Sequence, residues 1–437
     1  MSTPFSRRAL LGGGLATLTL AACGVSEDAA DVELSDKEVT LRFSWWGSDA
    51  RHELTQQVID AFQKQNPKIK VKGEFADWVG YWDRVATTFA ANDAPDVVQM
   101  DQLYLRTYAD RNSLLDLGTT KEFLDTGKFD DRTLAAGQVE GKLFGLPTGN
   151  GSLSVVTNRK IFEKYGLDLP DDKTWTWDDF AEISAEISKA SKGEVVGSGL
   201  LGSEMSGLTH YARQHGGALF DESGQVVLKA EHVAPFWEMN VALAGKGAPS
   251  AEASAELLTA PLNQTWLVLG KQAFNFNWNT QITSLQAAAP DADFVLLQIP
   301  QSADGSSNGF YYKPSMYWSV AARTEHPAEA AKFVDFLANS PEAAKIMGTD
   351  RGIPANAETL AAVKPDLDAV GQKAVAFNDQ VASLVGEPPA LTPAGASDID
   401  ALIQRHMQEV LFGRAEALEE AQKFVDELTT GVKNAAS

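Results

Sequence analysis

Between Glu38 and Met100 the apolar residues recur at every second position, then at every third or fourth, and the switch repeats; this alternation constrains the fold more than any other feature. Val39, Leu41, Phe43 and Trp45 alternate with Thr40, Arg42 and Ser44 and predict a strand. About Arg51 to Asn66, Leu54, Val58, Ile59 and Phe62 stand at helical spacing, and the helix stops at Asn66-Pro67, where proline cannot continue it. Ile69 to Gly73 predicts a second strand, Trp82 to Ala91 a second helix, and Val97 to Met100 a short buried strand. Strand–helix–strand alternation calls for parallel strands with crossover helices, an α/β architecture whose ligands sit beyond the carboxyl ends of the strands.

The pattern resumes after Leu146-Pro147-Thr148-Gly149-Asn150-Gly151 with a strand from Leu153 to Thr157. A helix around Asp178 to Lys189 follows, with Thr176 as its N-cap, then a strand near Val195 to Leu200 and a helix from Glu256 to Gly270. Ala273 to Asn277, Phe294 to Ile299 and Tyr317 to Ala321 read as strands, Pro327 to Ala338 as a helix, and Ser340-Pro341-Glu342 as a helix start. The last helix, roughly Arg414 to Thr429, puts Ala417, Leu418, Ala421, Phe424, Val425 and Leu428 on one face. No internal repeat is visible, which argues against solenoids and propellers.

The 437 residues suit two to three domains at about 150 residues each. With 37 basic against 59 acidic side chains, a net charge of -22, the chain repels phosphate backbones and anionic headgroups, so no nucleic-acid partner is expected. The only cysteine, Cys23, leaves no intramolecular disulfide and no multi-thiolate metal site. Ahead of it stand Arg7-Arg8 and the small and apolar run Leu10 to Ala22, too short to span a bilayer. The run ends Leu20-Ala21-Ala22-Cys23, which resembles a bacterial lipobox. That resemblance implies a signal peptide over 1–22, a diacylglycerol on the Cys23 thiol, and an extracytoplasmic protein anchored by lipid to the cell membrane. Each buried methylene of such an anchor contributes about 0.8 kcal/mol. Ser6 to Leu11 (SRRALL) resembles a twin-arginine motif, but Leu10 and Gly12 replace the usual Phe and Lys, so Tat and Sec export both stay open. Residues 23–37 are small, polar and acidic and predict a flexible tether.

Several landmarks in order are similar to the extracellular solute-binding proteins of bacterial ABC importers, in the carbohydrate-binding family related to maltose-binding protein. They are Phe62 to Val71 (FQKQNPKIKV), Ala94 to Val98 (APDVV), Gly141 to Pro147 (GKLFGLP), Trp175 to Phe180 (TWTWDDF without its first Thr), Ala330 to Leu337 (AAKFVDFL) and Arg351 to Ala355 (RGIPA). The resemblance implies a two-lobed periplasmic-binding-protein-like fold of type II, with lobes discontinuous in sequence: 38–148 plus 318–354, and 149–317 plus 355–437. The chain would cross between lobes near Pro147 to Gly151, Lys313 to Trp318 and Arg351 to Asn356. It further implies a carbohydrate ligand, ABC permease subunits with a cytoplasmic ATPase as partners, a monomer, and no catalysis.

A pyranose has apolar C–H faces and a rim of hydroxyls, so its site needs aromatic platforms edged by amides, carboxylates and guanidinium groups. Trp278, with Asn279, follows a predicted strand end and is the foremost stacking candidate. Trp46 ends the first strand, with Ser48, Asp49 and Arg51 as hydroxyl partners; Asp49 reads equally as the N-cap of the next helix. Asp101, Gln102 and Tyr104 follow the third strand, and Trp78 lies by the predicted cleft edge with Tyr81. By family position, Asn150 lies in the first crossing, Glu204 and Ser206 on a loop reaching in from the second lobe, Tyr312 and Trp318 around the second crossing, and Arg351 at the third.

Gly197 to Gly202 (GSGLLG) matches the bare dinucleotide pattern, with Asp221-Glu222 about twenty residues on. It lies mid-chain rather than opening a domain, and export removes it from cytosolic cofactors, so no cofactor is expected. His210 and His215 lack the company a metal needs. Two rival functions stand beside sugar capture. An exported glycoside hydrolase would use two carboxylates, but nothing marks one pair among 59 acids. A lipoprotein that binds another protein would carry a broad exposed apolar patch.

Overall fold

A computed structural model describes residues 32–201, 203–258, 260–303 and 308–436. The expected signal peptide, Cys23 and most of the tether lie outside the described residues. Ser35 is already held: its amide donates to a Glu329 carboxylate oxygen at 2.6 Å, ahead of the expected tether end at 37.

The first sheet is built on β1 (Val39–Trp46), β2 (Ile69–Ala76) and β3 (Val97–Met100), joined by α1 (Asp49–Gln65) and α2 (Trp78–Ala90). β1 pairs in parallel with both neighbours, as crossover helices require. Alternate residues of β1 serve opposite faces. Phe43 and Trp45 pack with Val58, Ile59 and Phe62 of α1, whereas Trp46 packs with Tyr81, Trp82 and Val85 of α2. Full burial of each such large side chain contributes about 1.5 to 3 kcal/mol, so α1 and α2 are held to opposite faces. Helix α2 begins a turn earlier than its periodicity suggests because the Asp77 side chain accepts the Gly80 amide at 2.8 Å. Helix α3 (Gln102–Asp110) follows β3.

Next come a hairpin of β4 (Gln138–Val139) and β5 (Lys142–Leu143), then β6 (Leu146–Pro147), β7 (Gly149–Gly151), β8 (Leu153–Asn158), β9 (Val196–Ser198), β10 (Gln272–Trp278), β11 (Phe294–Leu297), β12 (Lys313–Pro314), β13 (Tyr317–Val320) and β14 (Ile353–Pro354). The first sheet is completed by late chain in the order β2-β1-β3-β13-β6, with β13 antiparallel to β3, so it is mixed rather than wholly parallel. The second sheet runs β11-β8-β10-β9. Its core gathers Phe162, Trp175, Phe180, Phe236, Trp237 and Phe274 under the C-terminal helix, which runs Ala417–Ala436 rather than from Arg414 to Thr429.

Between these two lobes lies a three-stranded antiparallel sheet, β12-β7-β14. Its strands come from the three stretches in which the resemblance places the crossings, and those stretches are hydrogen-bonded to one another. Gly149 allows that approach, since a Cβ there would lie 2.7 Å from the carbonyl oxygens of both Arg351 and Ile353.

One local expectation is corrected. The stretch expected as one helix from Glu256 to Gly270 is a short helix, Ala251–Leu257, capped by Ser250, then a 3₁₀ turn at Leu262–Gln264 behind Pro261. The Gly197 glycine serves packing: a Cβ there would run into the Ser184 backbone of the helix Trp177–Ala190. Asp221 closes a turn by accepting the Gln225 amide at 2.9 Å and the Ser223 hydroxyl at 2.7 Å.

Candidate functional site

The first lobe presents aromatic rings where its parallel strands end. Trp46 closes β1, Trp78 opens α2, and Tyr104 lies in the first turn of α3. Trp78 is 39% exposed and meets Trp46 edge-on at 5.1 Å and Trp82 at 5.6 Å; Tyr104 stacks on Trp82 at 3.9 Å. Trp46 itself is buried and serves as the support on which Trp78 stands. Tyr81, expected at the cleft edge, is wholly buried and donates its hydroxyl to the Gln99 carbonyl at 2.6 Å. Asp101 caps α3 by accepting the Leu103 amide at 2.9 Å, which fixes the start of the helix carrying Gln102 and Tyr104. Burial and the Asp101 charge push the Tyr104 phenol above its ordinary range, so it is a hydroxyl donor at neutral pH.

The second lobe answers with Trp278 at the end of β10. Its half-buried ring lies 6.0 Å from Tyr311, edge to face, and 6.1 Å from His210, with the Lys313 ammonium 5.4 Å from its centroid. Burial pulls His210 down to about 3, so its imidazole is neutral. Its Nδ1 pairs with the Ser206 carbonyl at 2.8 Å, which makes Nδ1 the donor and leaves the buried Nε2 an acceptor with no partner among the described residues. Ser206 also donates its hydroxyl to Glu204 at 3.4 Å. Burial and the Asp400 charge hold the Glu204 carboxyl above the usual carboxylate range.

A narrow cavity joins the lobes. Gln102 and Ala136 line it from the first lobe, Met205 and Thr209 from the second, and Tyr312 and Lys313 from the second crossing. The segment Pro388 to Thr392 forms its remaining wall. Sequence reasoning had singled out Gln102 and Tyr312; the structure brings them together here. Thr209, Lys313 and the proline-rich wall are not among the expected site residues, although the run Glu387 to Pro393 (EPPALTP) carries the signal of a stiff extended segment.

Other expected site residues stand outside that cavity, and most of them are engaged within the protein. Ser48, not Asp49, caps α1, accepting the Arg51 amide at 3.4 Å, while Asp49 is exposed in the first turn. Arg51 is engaged by Asp350 at 2.8 Å and by the Trp46 carbonyl at 3.3 Å. Arg351 is buried, donates to Gln99 at 3.0 Å and Thr55 at 2.8 Å, and lies 5.1 Å over the buried ring of Trp318. Burial and the Arg51 charge lower its guanidinium to about 9, which leaves it cationic at neutral pH. Asn279 is fully buried, accepting the Ser152 amide at 2.9 Å and donating to the Ala374 carbonyl at 2.8 Å. Asn150, in β7, donates to Thr133 at 2.8 Å, and its Oδ1 is buried without a partner among the described residues. Among the described residues no group of three or more His, Cys, Asp or Glu could hold a metal ion, and no helix is long and apolar enough to cross a membrane.

Two α/β lobes, a paired crossing sheet and a cavity walled from both sides define a two-lobed binding-protein architecture. Residues 48–344 match the profile of the bacterial extracellular solute-binding protein family, and the chain belongs to that family. A putative binding protein of Brucella abortus (strain 2308) is 22% identical over 364 residues, covering 79% of this chain and 81% of that protein. The melibiose/raffinose/stachyose-binding protein of Bacillus subtilis (strain 168) is 26% identical over 200 residues, 46% of this chain and 44% of its own. Among solved structures, a periplasmic oligogalacturonide binding protein from Yersinia enterocolitica in complex with saturated digalacturonic acid is similar, with a TM-score of 0.76 and 25% identity. That match covers 92% of this chain and 100% of the other.

Proposed function

We propose that this chain is the substrate-binding component of an ABC-type sugar importer, capturing a mono- or oligosaccharide by hinge closure and delivering it to the permease. The observation that carries the reading is the cavity with Gln102 on one wall, Thr209 on the other and Tyr312 at the crossing. A ligand touching both walls is bound fully only when the lobes are together, so its differential affinity for the closed form drives closure. Trp78, Tyr104 and Trp278 are the stacking platforms, and Gln102, Tyr312, Ser206 and Glu204 the hydroxyl partners. The sugars named for the Bacillus and Yersinia relatives support a carbohydrate ligand.

The lobes comprise 38–148 plus 318–354 and 149–317 plus 355–437, turning about the β12-β7-β14 sheet. The protein acts as a monomer without catalysis and hands its ligand to transmembrane permease subunits served by a cytoplasmic ATPase. Cys23 carries the lipid anchor after export by the Tat or Sec route. Tryptophan fluorescence and small-angle scattering during titration with mono-, di- and oligosaccharides test the reading: saturable quenching with a fall in radius of gyration is expected. A folded protein that responds to no sugar, or hydrolyses one at enzymatic rates, overturns it.

A further inference from the structure

A second cavity lies wholly in the second lobe, at about 420 Å³, within the range of small-molecule sites. One wall is an amide relay that runs from the start of β10 to the 3₁₀ turn Asn279–Gln281 beyond its end. Gln272 donates to Asn275 Oδ1 at 3.0 Å, Asn275 to Asn277 Oδ1 at 3.1 Å, and Asn277 to Gln281 Oε1 at 3.2 Å. All four line the cavity, and each amide is oriented by the one before it, so the row is rigid and mutually polarised. Gly199 leaves the approach to the relay open, because a Cβ there would lie 2.6 Å from Asn275 Oδ1.

The relay does not exhaust its own hydrogen-bonding capacity. Among the described residues Asn277 keeps one N–H and Gln281 both, and on the facing helix, Ile399–Leu411, the side-chain amides of Gln404 and Gln408 make no hydrogen bond. Donors and acceptors on opposed walls match hydroxyl groups, which both donate and accept. Half-buried Trp266 supplies an apolar surface of the kind a sugar C–H face needs. Among the described residues no lysine or arginine lines the cavity, and the one ionisable group there is the Glu204 carboxyl, so the surroundings disfavour an anion.

Two neighbouring pairs show that this cavity adjoins the interlobe one. Glu204 lines the former and Met205 the latter, while Asn277 lines the former and Trp278, the next residue, faces Lys313 of the latter. We infer that the amide-lined cavity is a second-lobe subsite for an uncharged sugar unit of an oligosaccharide whose other end is held between the lobes. The inference rests on the sugar-capture reading above.

The test is calorimetric titration of the full mature chain with two series of increasing length, one uncharged (melibiose, raffinose, stachyose; maltose to maltotetraose) and one of galacturonates. The uncharged series is expected to gain about tenfold in affinity on reaching the unit that enters the subsite. Gln404→Trp, which fills the cavity, should erase that gain while leaving the shortest bound sugar within about twofold of wild type. Gln404→Leu, close in size and losing no internal bond, keeps the test independent of overpacking, and thermal melts confirm that both variants fold. A length gain retained in both folded variants, no gain in the wild-type protein, or a gain confined to galacturonates overturns the subsite. Absence of binding by any sugar overturns the capture reading itself, a result distinct from normal binding that ignores the cavity.

Discussion

Arg106 of the first lobe donates from Nη1 to the carbonyl oxygen of Glu222 in the second at 2.9 Å, while its Nε faces Asp110 of its own helix at 3.3 Å. The guanidinium is almost fully buried, so the bond is shielded from water, and it ties α3, which carries Gln102 and Tyr104, to the Phe220–Val226 turn. A hydrogen bond from a charged group contributes about 1.5 to 3 kcal/mol. Arg106→Ala should therefore shift the lobes toward separation: a larger radius of gyration without sugar, and sugar affinity lowered by about tenfold. Scattering and titration together check this; an unchanged radius and affinity would show that the bond does not govern closure.

Trp78 and Trp278 should behave as ligand platforms rather than core. Each indole is partly exposed at its lobe's edge, so Trp78→Ala and Trp278→Ala are expected to keep the thermal midpoint within a few degrees. Loss of a stacked ring should weaken sugar binding by about tenfold or more. Normal affinity in either folded variant removes that ring from the site.

Arg351→Ala should produce the opposite pattern. It leaves Gln99 and Thr55 without their donor and uncovers Trp318, so unfolding free energy should fall by about 3 kcal/mol. Sugar affinity of the folded fraction should be nearly unchanged. Denaturant titration separates stability from binding, and a selective loss of affinity would restore Arg351 to the ligand.

His210 makes the protein acid-sensitive. Its folded-state value of about 3 lies below that of an unfolded histidine, near 6.5, because burial disfavours the charged ring. The unfolded chain therefore takes up a proton that the native state refuses, and stability falls as pH drops from about 6.5 toward 3, by at most about 1.4 kcal/mol per unit from this residue. His210→Gln should flatten the stability profile between pH 6 and 4, as read by urea unfolding at several pH values; an unchanged slope would assign it elsewhere.

Local features were legible in the residues. β1 and β3 declare themselves by period and burial, and the Thr176 cap and its Asp179 partner by short-range chemistry, because partners a few residues apart leave a pattern in the chain. Even the relay has a visible trace, since Asn275 and Asn277 stand two apart on a strand and so share a face.

Residues alike in the sequence separated only in three dimensions. Arg51 and Arg351 both looked suited to hydroxyls, yet one pairs with Asp350 and the other with Gln99 and Thr55, partners 252 to 299 positions distant. Trp278 and Trp318 each stand at a strand end, but one borders the cleft and the other is sealed beneath a guanidinium. The chain by itself determined its α/β class, its family and caps such as Thr176, since these depend on neighbours in sequence and on motif order. Tertiary structure decided which polar and aromatic groups remain available to a ligand, because a side chain's free hydrogen-bonding capacity depends on whatever distant chain folds against it.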